Sequence, residues 1–290
     1  GLGKGNYAAP VKLLGSDGKP ARAGLASAVA VADWDGDGDL DLLVGNIQGE
    51  VWLLPNEGKK DGLPVFGPRQ SLGVSRGARG PGSDAGPCVA DWDGDGVLDL
   101  LVGDDDGGVL LYQGAIEQGR HVLHRQDPLI PAAQDRIRQK PTEGSLNAKT
   151  GVFEPIVSRP QQRAKPCACD WNGDGKLDLL VGDFVSLTGP EPVLTTAEQE
   201  EKKRLEKEYT ELSSEFGKAY ERIGAQLGTS RDGRQDSIDQ AEDNTRMSKL
   251  LSEDAEYMQI SRRQGKVWER LSRLKAPYLT HGYVWVYLAK

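Results

Sequence analysis

Little in this chain speaks for catalysis or for a membrane. Histidine occurs three times (His121, His124, His281), cysteine three times, methionine twice and phenylalanine four times in 290 residues. His121 and His124, three apart on an expected strand, fall on opposite faces and form no ligand pair; His281 reads as a turn residue. There is no Gly-x-Ser-x-Gly turn, no phosphate-binding glycine loop and no nucleophile beside a base, so the sequence reads as non-enzymatic. Cys88, Cys167 and Cys169 are odd in number and lack CxxC spacing. Buried free thiols are the plainer reading, with a disulfide between neighbouring sheets or thiolate chemistry as alternatives. No apolar run approaches the ~18 residues of a membrane-spanning helix. No leader segment is recognisable, and the start GLGKGNYAAP reads as a processed or truncated end.

Positive charge is also in deficit. The net charge of −8 argues against nucleic acid as a partner. The surplus acid is concentrated in three near-identical stretches: ADWDGDGDLDLLVG (32–45), ADWDGDGVLDLLVG (90–103) and CDWNGDGKLDLLVG (169–182). In the first, Asp33, Asp35 and Asp37 occupy positions 1, 3 and 5, Asp39 position 7 and Asp41 position 9. The second places Asp91, Asp93, Asp95, Val97 and Asp99 at the same positions, and the third Asp170, Asn172, Asp174, Lys176 and Asp178. Alternate residues of a tight loop point inward, and like charges so gathered repel by several kcal/mol unless a cation lies between them. The paired glycines let the chain curl round an ion. Position 7 varies from Asp to Val to Lys, so it would contribute its carbonyl, while the position-9 acid closes the shell. Oxygen ligands without nitrogen or sulfur select calcium. Three such ions would offset most of the net charge.

An EF-hand begins the same way but needs an acid at position 12 and flanking helices. Position 12 here is Val44, Val102 or Val181, inside a strand-like LDLLVG ended by glycine. The motif instead resembles the FG-GAP/VCBS repeat family, which includes the β-propeller of integrin α subunits. The resemblance covers roughly 5–112, 164–185 and 281–290. It implies a calcium loop joining the first and second strands of each propeller blade. Asn172 departs from the pattern but still offers an oxygen.

Glycine is abundant, 37 residues against a usual ~7%, as turn-rich β structure requires. Segments 6–14, 26–34, 40–46, 50–56 and 65–73 read as strands, and the pattern recurs through 87–92, 98–104, 108–114 and 121–130. Four short strands per unit suit a propeller blade. The loops lie 58 and then 79 residues apart; the surplus, 131–165, reads as a long surface loop. The basic stretch 75–84 with Arg76 and Arg79 is a second candidate contact loop. Trp34, Trp92 and Trp171 follow the first acid of each motif, as architecture between blades or as an aromatic row for sugars or peptides.

Residues 196–276 change character. Leu205, Tyr209, Leu212, Phe216, Tyr220, Ile223 and Leu227 share one helix face, and Tyr257, Ile260, Gln264, Val267, Leu271 and Leu274 another. An antiparallel coiled-coil hairpin follows, with a turn at 228–236. HGYVWVYLAK (281–290) then resumes as a strand. The expected domains are therefore propeller blades over 1–195, a helical insertion over 196–276 and a returning strand over 277–290. Three units fall short of the ~4–8 blades of a closed ring. Either the strand 6–14 completes the last blade and 114–165 hides a degenerate one, or further blades come from elsewhere. The expected function is a calcium-stabilised binding or adhesion scaffold, extracellular, cell-surface or periplasmic, meeting a protein or a glycan. The alternatives are an accessory subunit docking through the hairpin and, last, a polysaccharide lyase or hydrolase.

Overall fold

The computed structural model describes residues 9–74, 82–132, 144–146, 153–155, 158–189, 191–227 and 237–290. The chain divides into two compact units. One comprises Gly1–Gln134, Arg159–Phe184 and Tyr283–Lys290, the other Asp135–Ser158 and Val185–Gly282.

The first unit is built from three repeated antiparallel sheets. Strands Ala28–Ala32, Asp41–Gly45, Val51–Leu54 and Gln70–Ser71 form the first. Gly86–Ala90, Asp99–Gly103, Val109–Glu117 and Arg120–Arg125 form the second. The third pairs Gln162–Cys169 with the first half of Asp178–Thr188, whose other side takes Val284–Tyr287. Registers coincide: Leu43 faces Leu53, Leu101 faces Leu111, and Leu180 faces Val286. Each acidic motif is the connection between the first and second strands of its sheet.

Alternating apolar residues bury both faces of the middle sheet. Trp34, Leu43, Val51 and Leu53 pack against Leu100, Val102, Leu110 and Tyr112. Leu101 and Val109 meet Ala164, Leu179 and Val181, with Trp285 alongside. The other face of the first sheet is covered by a separate layer. Asn56–Lys60 pairs with Leu63–Phe66, and Leu14–Gly15 joins that strand in parallel. Phe66 and Ala23 thereby bury Val44 and Leu54.

That layer corrects two expectations. Of the strand expected at 6–14, residues 6–8 lie outside the described residues and only Leu14 is extended, and it pairs with Val65 rather than with the last sheet. Segment 65–73 is not one outer strand. It breaks at Gly67, whose N–H turns to the Pro55 carbonyl, and only Gln70–Ser71 continues the first sheet. The stretch 131–165 is not wholly loop: Gly144–Leu146 pairs with Phe153–Pro155, and Gln162 opens a strand. Residues 75–81, including Arg76 and Arg79, lie outside the described residues, as does the turn expected at 228–236.

In the second unit Val185–Thr188 pairs with Tyr278–His281 and leads into the helices, so His281 is a strand residue, not a turn residue. The helices number three among the described residues, not two: α1 Thr196–Gly224, α2 Ser237–Glu253 and α3 Ala255–Ser272. Asp254 accepts from the Tyr257 N–H and caps α3, which is why the helical pattern breaks there. Thr195 caps α1 reciprocally with Glu198. Helices α1 and α3 run antiparallel, since Arg222 near one end meets Asp254 and Glu256 while Arg270 at the other meets Glu201. Their seam buries Leu205, Leu212, Ala219 and Ile223 against Ile260, Val267 and Leu271. Tyr220 is exposed, its expected place on the seam being taken by Ala219. No described helix is long and apolar enough to cross a membrane.

Candidate metal loops

Each acidic loop is shaped by its own first and last acids. Gly36, Gly38, Gly94, Gly96, Gly173 and Gly175 adopt left-handed φ values between 75° and 92°, a region closed to most side chains. This curl directs the position-6 amide at the first acid: Gly38 N–H to Asp33 Oδ2 at 3.1 Å, Gly96 to Asp91 at 2.9 Å and Gly175 to Asp170 at 2.9 Å. Asp37 and Asp95 in turn accept from the amides of Asp39 and Val97, both at 2.8 Å, and Asp174 from that of Lys176 at 2.9 Å.

The position-9 acid holds the loop to its sheet. Asp41, Asp99 and Asp178 are buried, and one oxygen of each accepts from the amide of Trp34, Trp92 or Trp171 at 2.9, 2.7 and 3.0 Å. The other oxygen takes a backbone amide from equivalent positions further along the chain: Asn56 and Ala289, two residues past Val51–Leu54 and Val284–Tyr287, and Gly114, inside Val109–Glu117, at 2.7, 2.8 and 2.7 Å. The last bond closes over 111 residues. This pinning role was missed by sequence reasoning, because its donors are backbone amides and any residue can supply one.

Carboxylate oxygens of Asp33, Asp35 and Asp37 lie within 4.8 Å of one another, as do those of Asp91, Asp93 and Asp99. Asp41 and Asp95 fall outside these closest sets. Burial, with the Asp41 charge next, raises the Asp35 pKa above the usual carboxylate range. Burial likewise raises that of Asp99, against the lowering effect of the Gly114 and Trp92 amides.

Asp33 Oδ1 and Asp91 Oδ1 are buried and accept no hydrogen bond. A buried carboxylate oxygen without a donor is costly, and the same atom is orphaned in two loops. Hard oxygen donors converging on it fit a divalent cation. Asp33, Asp35 and Asp37 would hold one, and Asp91, Asp93 and Asp99 another.

The third loop differs. Asp170 Oδ1 accepts from Gly173 and Asp174, at 2.7 and 3.0 Å, so both its oxygens are satisfied. The Asn172 amide donates to Asp174 Oδ2 at 3.1 Å. Asp174 is held below the usual carboxylate range, first by the Lys176 amide and then by Asn172. One Asp-to-Asn exchange therefore replaces a repelling pair by a hydrogen bond.

Elsewhere, Gln113 Nε2 donates to Asp93 Oδ2, a contact the motif does not reveal. Cys88 Sγ accepts from the Ala168 amide at 3.3 Å, and burial raises its pKa. Cys167 is exposed, not buried, and all three thiols are free. His124 reaches Glu117 at 2.8 Å. Trp34 and Trp92 pack between sheets, whereas Trp171 is exposed, so the three form no row.

Residues 33–102, spanning the first two loops, match the family model described as an FG-GAP-like repeat. No curated protein matches the chain.

Proposed function

We propose that the chain is a calcium-stabilised, non-catalytic interaction scaffold working outside the cytoplasm. Its repeated sheets act as blades of a whole or partial β-propeller, and its α1–α3 pair as a coiled-coil docking element. The single observation that carries this reading is the orphaned Oδ1 at both Asp33 and Asp91. A bound cation would neutralise acids that otherwise repel across each loop. Calcium is favoured by the all-oxygen donor set, and millimolar extracellular calcium fills even weak sites. That setting, the FG-GAP-like repeat over residues 33–102 and the exposed apolar surface favour a protein partner, either another subunit or further blades; a glycan is the other ligand class. The exposed Trp268 and Tyr220 on the helical pair support docking through that arm, as an accessory subunit would.

Equilibrium dialysis with radioactive calcium tests the assignment. Asp33→Asn and Asp91→Asn should each lower the bound stoichiometry by one ion. Unchanged stoichiometry in both variants would remove the sites from these loops.

A further inference from the structure

The first two acidic loops do not gather the same acids. The first brings together positions 1, 3 and 5 (Asp33, Asp35, Asp37), the second positions 1, 3 and 9 (Asp91, Asp93, Asp99). Their backbones do not account for this, because the left-handed glycines and the turn amides recur. The position-5 amide donates to the position-3 acid in both, Asp37 to Asp35 Oδ1 and Asp95 to Asp93 Oδ1, each at 3.2 Å. The difference lies in a neighbouring side chain. Gln113, on the strand Val109–Glu117, donates from Nε2 to Asp93 Oδ2 across 20 residues of sequence.

The repeats show that this contact is particular to one loop. The amides of Asn56, Gly114 and Ala289 mark one equivalent position in the three sheets. The residue before each is therefore Pro55, Gln113 or Leu288. Proline and leucine carry no side-chain donor, so glutamine alone can hold the acid from this place.

Gln113 is itself held. Its backbone pairs with His124 in an antiparallel ladder. Gln126 Nε2 donates to Gln113 Oε1 at 3.1 Å, and the Gln126 amide bonds the Leu111 carbonyl at 3.0 Å. An ionised carboxylate only accepts, and a side-chain amide accepts only through its oxygen. Both contacts therefore demand the same orientation of Gln113, with Nε2 toward Asp93.

An exposed carboxylate beside two others is pushed outward by repulsion, and in water it gains rotamer freedom. A donor fixed on a strand opposes both tendencies. Asp93 Oδ1 keeps a lone pair beside the Asp95 amide it accepts.

We propose that Gln113 is a positioning residue for a divalent cation at the second loop. It holds Asp93 with Asp91 and Asp99, so that these acids are gathered before an ion arrives. Gln126 braces it from behind. The proposal rests on the metal reading above and adds that the loops differ: the first is self-supported, the second braced by its own sheet.

Calcium titration calorimetry of the full chain tests it. Asp33→Asn/Asp170→Asn leaves the second loop intact, and Asp91→Asn/Asp170→Asn leaves the first. Adding Gln113→Leu should weaken calcium binding about tenfold in the former and leave it unchanged in the latter. The melting temperature in chelator should match the parent's, which a merely structural role would lower. Gln126→Leu, at an exposed residue, should give a smaller loss at the second loop alone, and keeps the test open should Gln113→Leu fold poorly. Unchanged affinity at the second loop overturns the proposal, as does an equal loss at both loops. So does tighter binding, which would mean that Gln113 competes with the ion for Asp93. In each of these cases the parent still binds calcium and the metal loops stand. A parent that binds no calcium with Gln113 intact sinks the metal reading and this proposal together.

Discussion

The His121 imidazole lies parallel to the Trp34 indole, with ring centroids 4.1 Å apart and planes inclined by 15°. Its two nitrogens face the Trp34 carbonyl at 3.2 Å and the Leu98 carbonyl at 2.8 Å. One side chain from the outer strand of the second sheet thereby grips two acidic loops at once. His121→Ala removes a stacked pair and one or two hydrogen bonds. A loss of about 1–3 kcal/mol in urea unfolding is expected, and a loss below half a kcal/mol would show that the grip is incidental.

The pinning acids should matter even where no ion is present. Asp99→Ala leaves the Trp92 and Gly114 amides without an acceptor inside the protein, which should cost about 2–4 kcal/mol in calcium-free buffer. Asp99→Asn keeps one acceptor and should fall between that variant and wild type. Asp178→Ala should release Val284–Tyr287, seen as faster amide exchange in that strand alone.

The equivalent glycines should respond unequally. Gly103→Val forces a side chain into the Ala164 carbonyl and should destabilise by about 2–3 kcal/mol or more. Gly182→Val adds a Cβ with nothing within 4 Å and should change the stability by less than about 0.5 kcal/mol. Equal effects in thermal unfolding would contradict the open face of the third sheet.

Acid should fray the start of α1. The amide and hydroxyl of Thr195 hold the Glu198 carboxyl below its usual range, the amide being the larger cause. A depressed carboxylate stabilises the fold above its unfolded pKa of about 4.3, and that stability is lost as pH falls through the lower folded value. Helical ellipticity should therefore decline below about pH 4 more in wild type than in Glu198→Gln, which cannot titrate. Identical acid profiles would count against the reciprocal cap.

The loops were legible because their chemistry is written in side chains: carboxylates at alternate positions and glycines where φ must be positive. Strand order within each repeat followed from the alternation around LDLLVG. Less legible was whatever depends on the backbone or on packing. Asn56, Gly114 and Ala289 act through amides and carry no common signature. The break at Gly67 depends on the Pro55 carbonyl, so one apparent strand became two. Tyr220 fits the helical period as well as Ala219 does, but Ala219, seven residues on from Leu212, is the one the seam buries, and Tyr220 is exposed. Asp254, a cap rather than a core residue, marks the division of α2 from α3 that periodicity passes over.

Thermal unfolding with and without chelator addresses the central claim most directly. Calcium at a hundredfold excess over its dissociation constant adds about 2.7 kcal/mol per site, or roughly 5–10 °C in Tm for a unit of this size. The Tm should rise by that amount for each of the two loops in calcium and return with chelator, and in Asp33→Asn/Asp91→Asn most of the rise should vanish. Superimposable curves for wild type in calcium and in chelator would contradict cation-held loops.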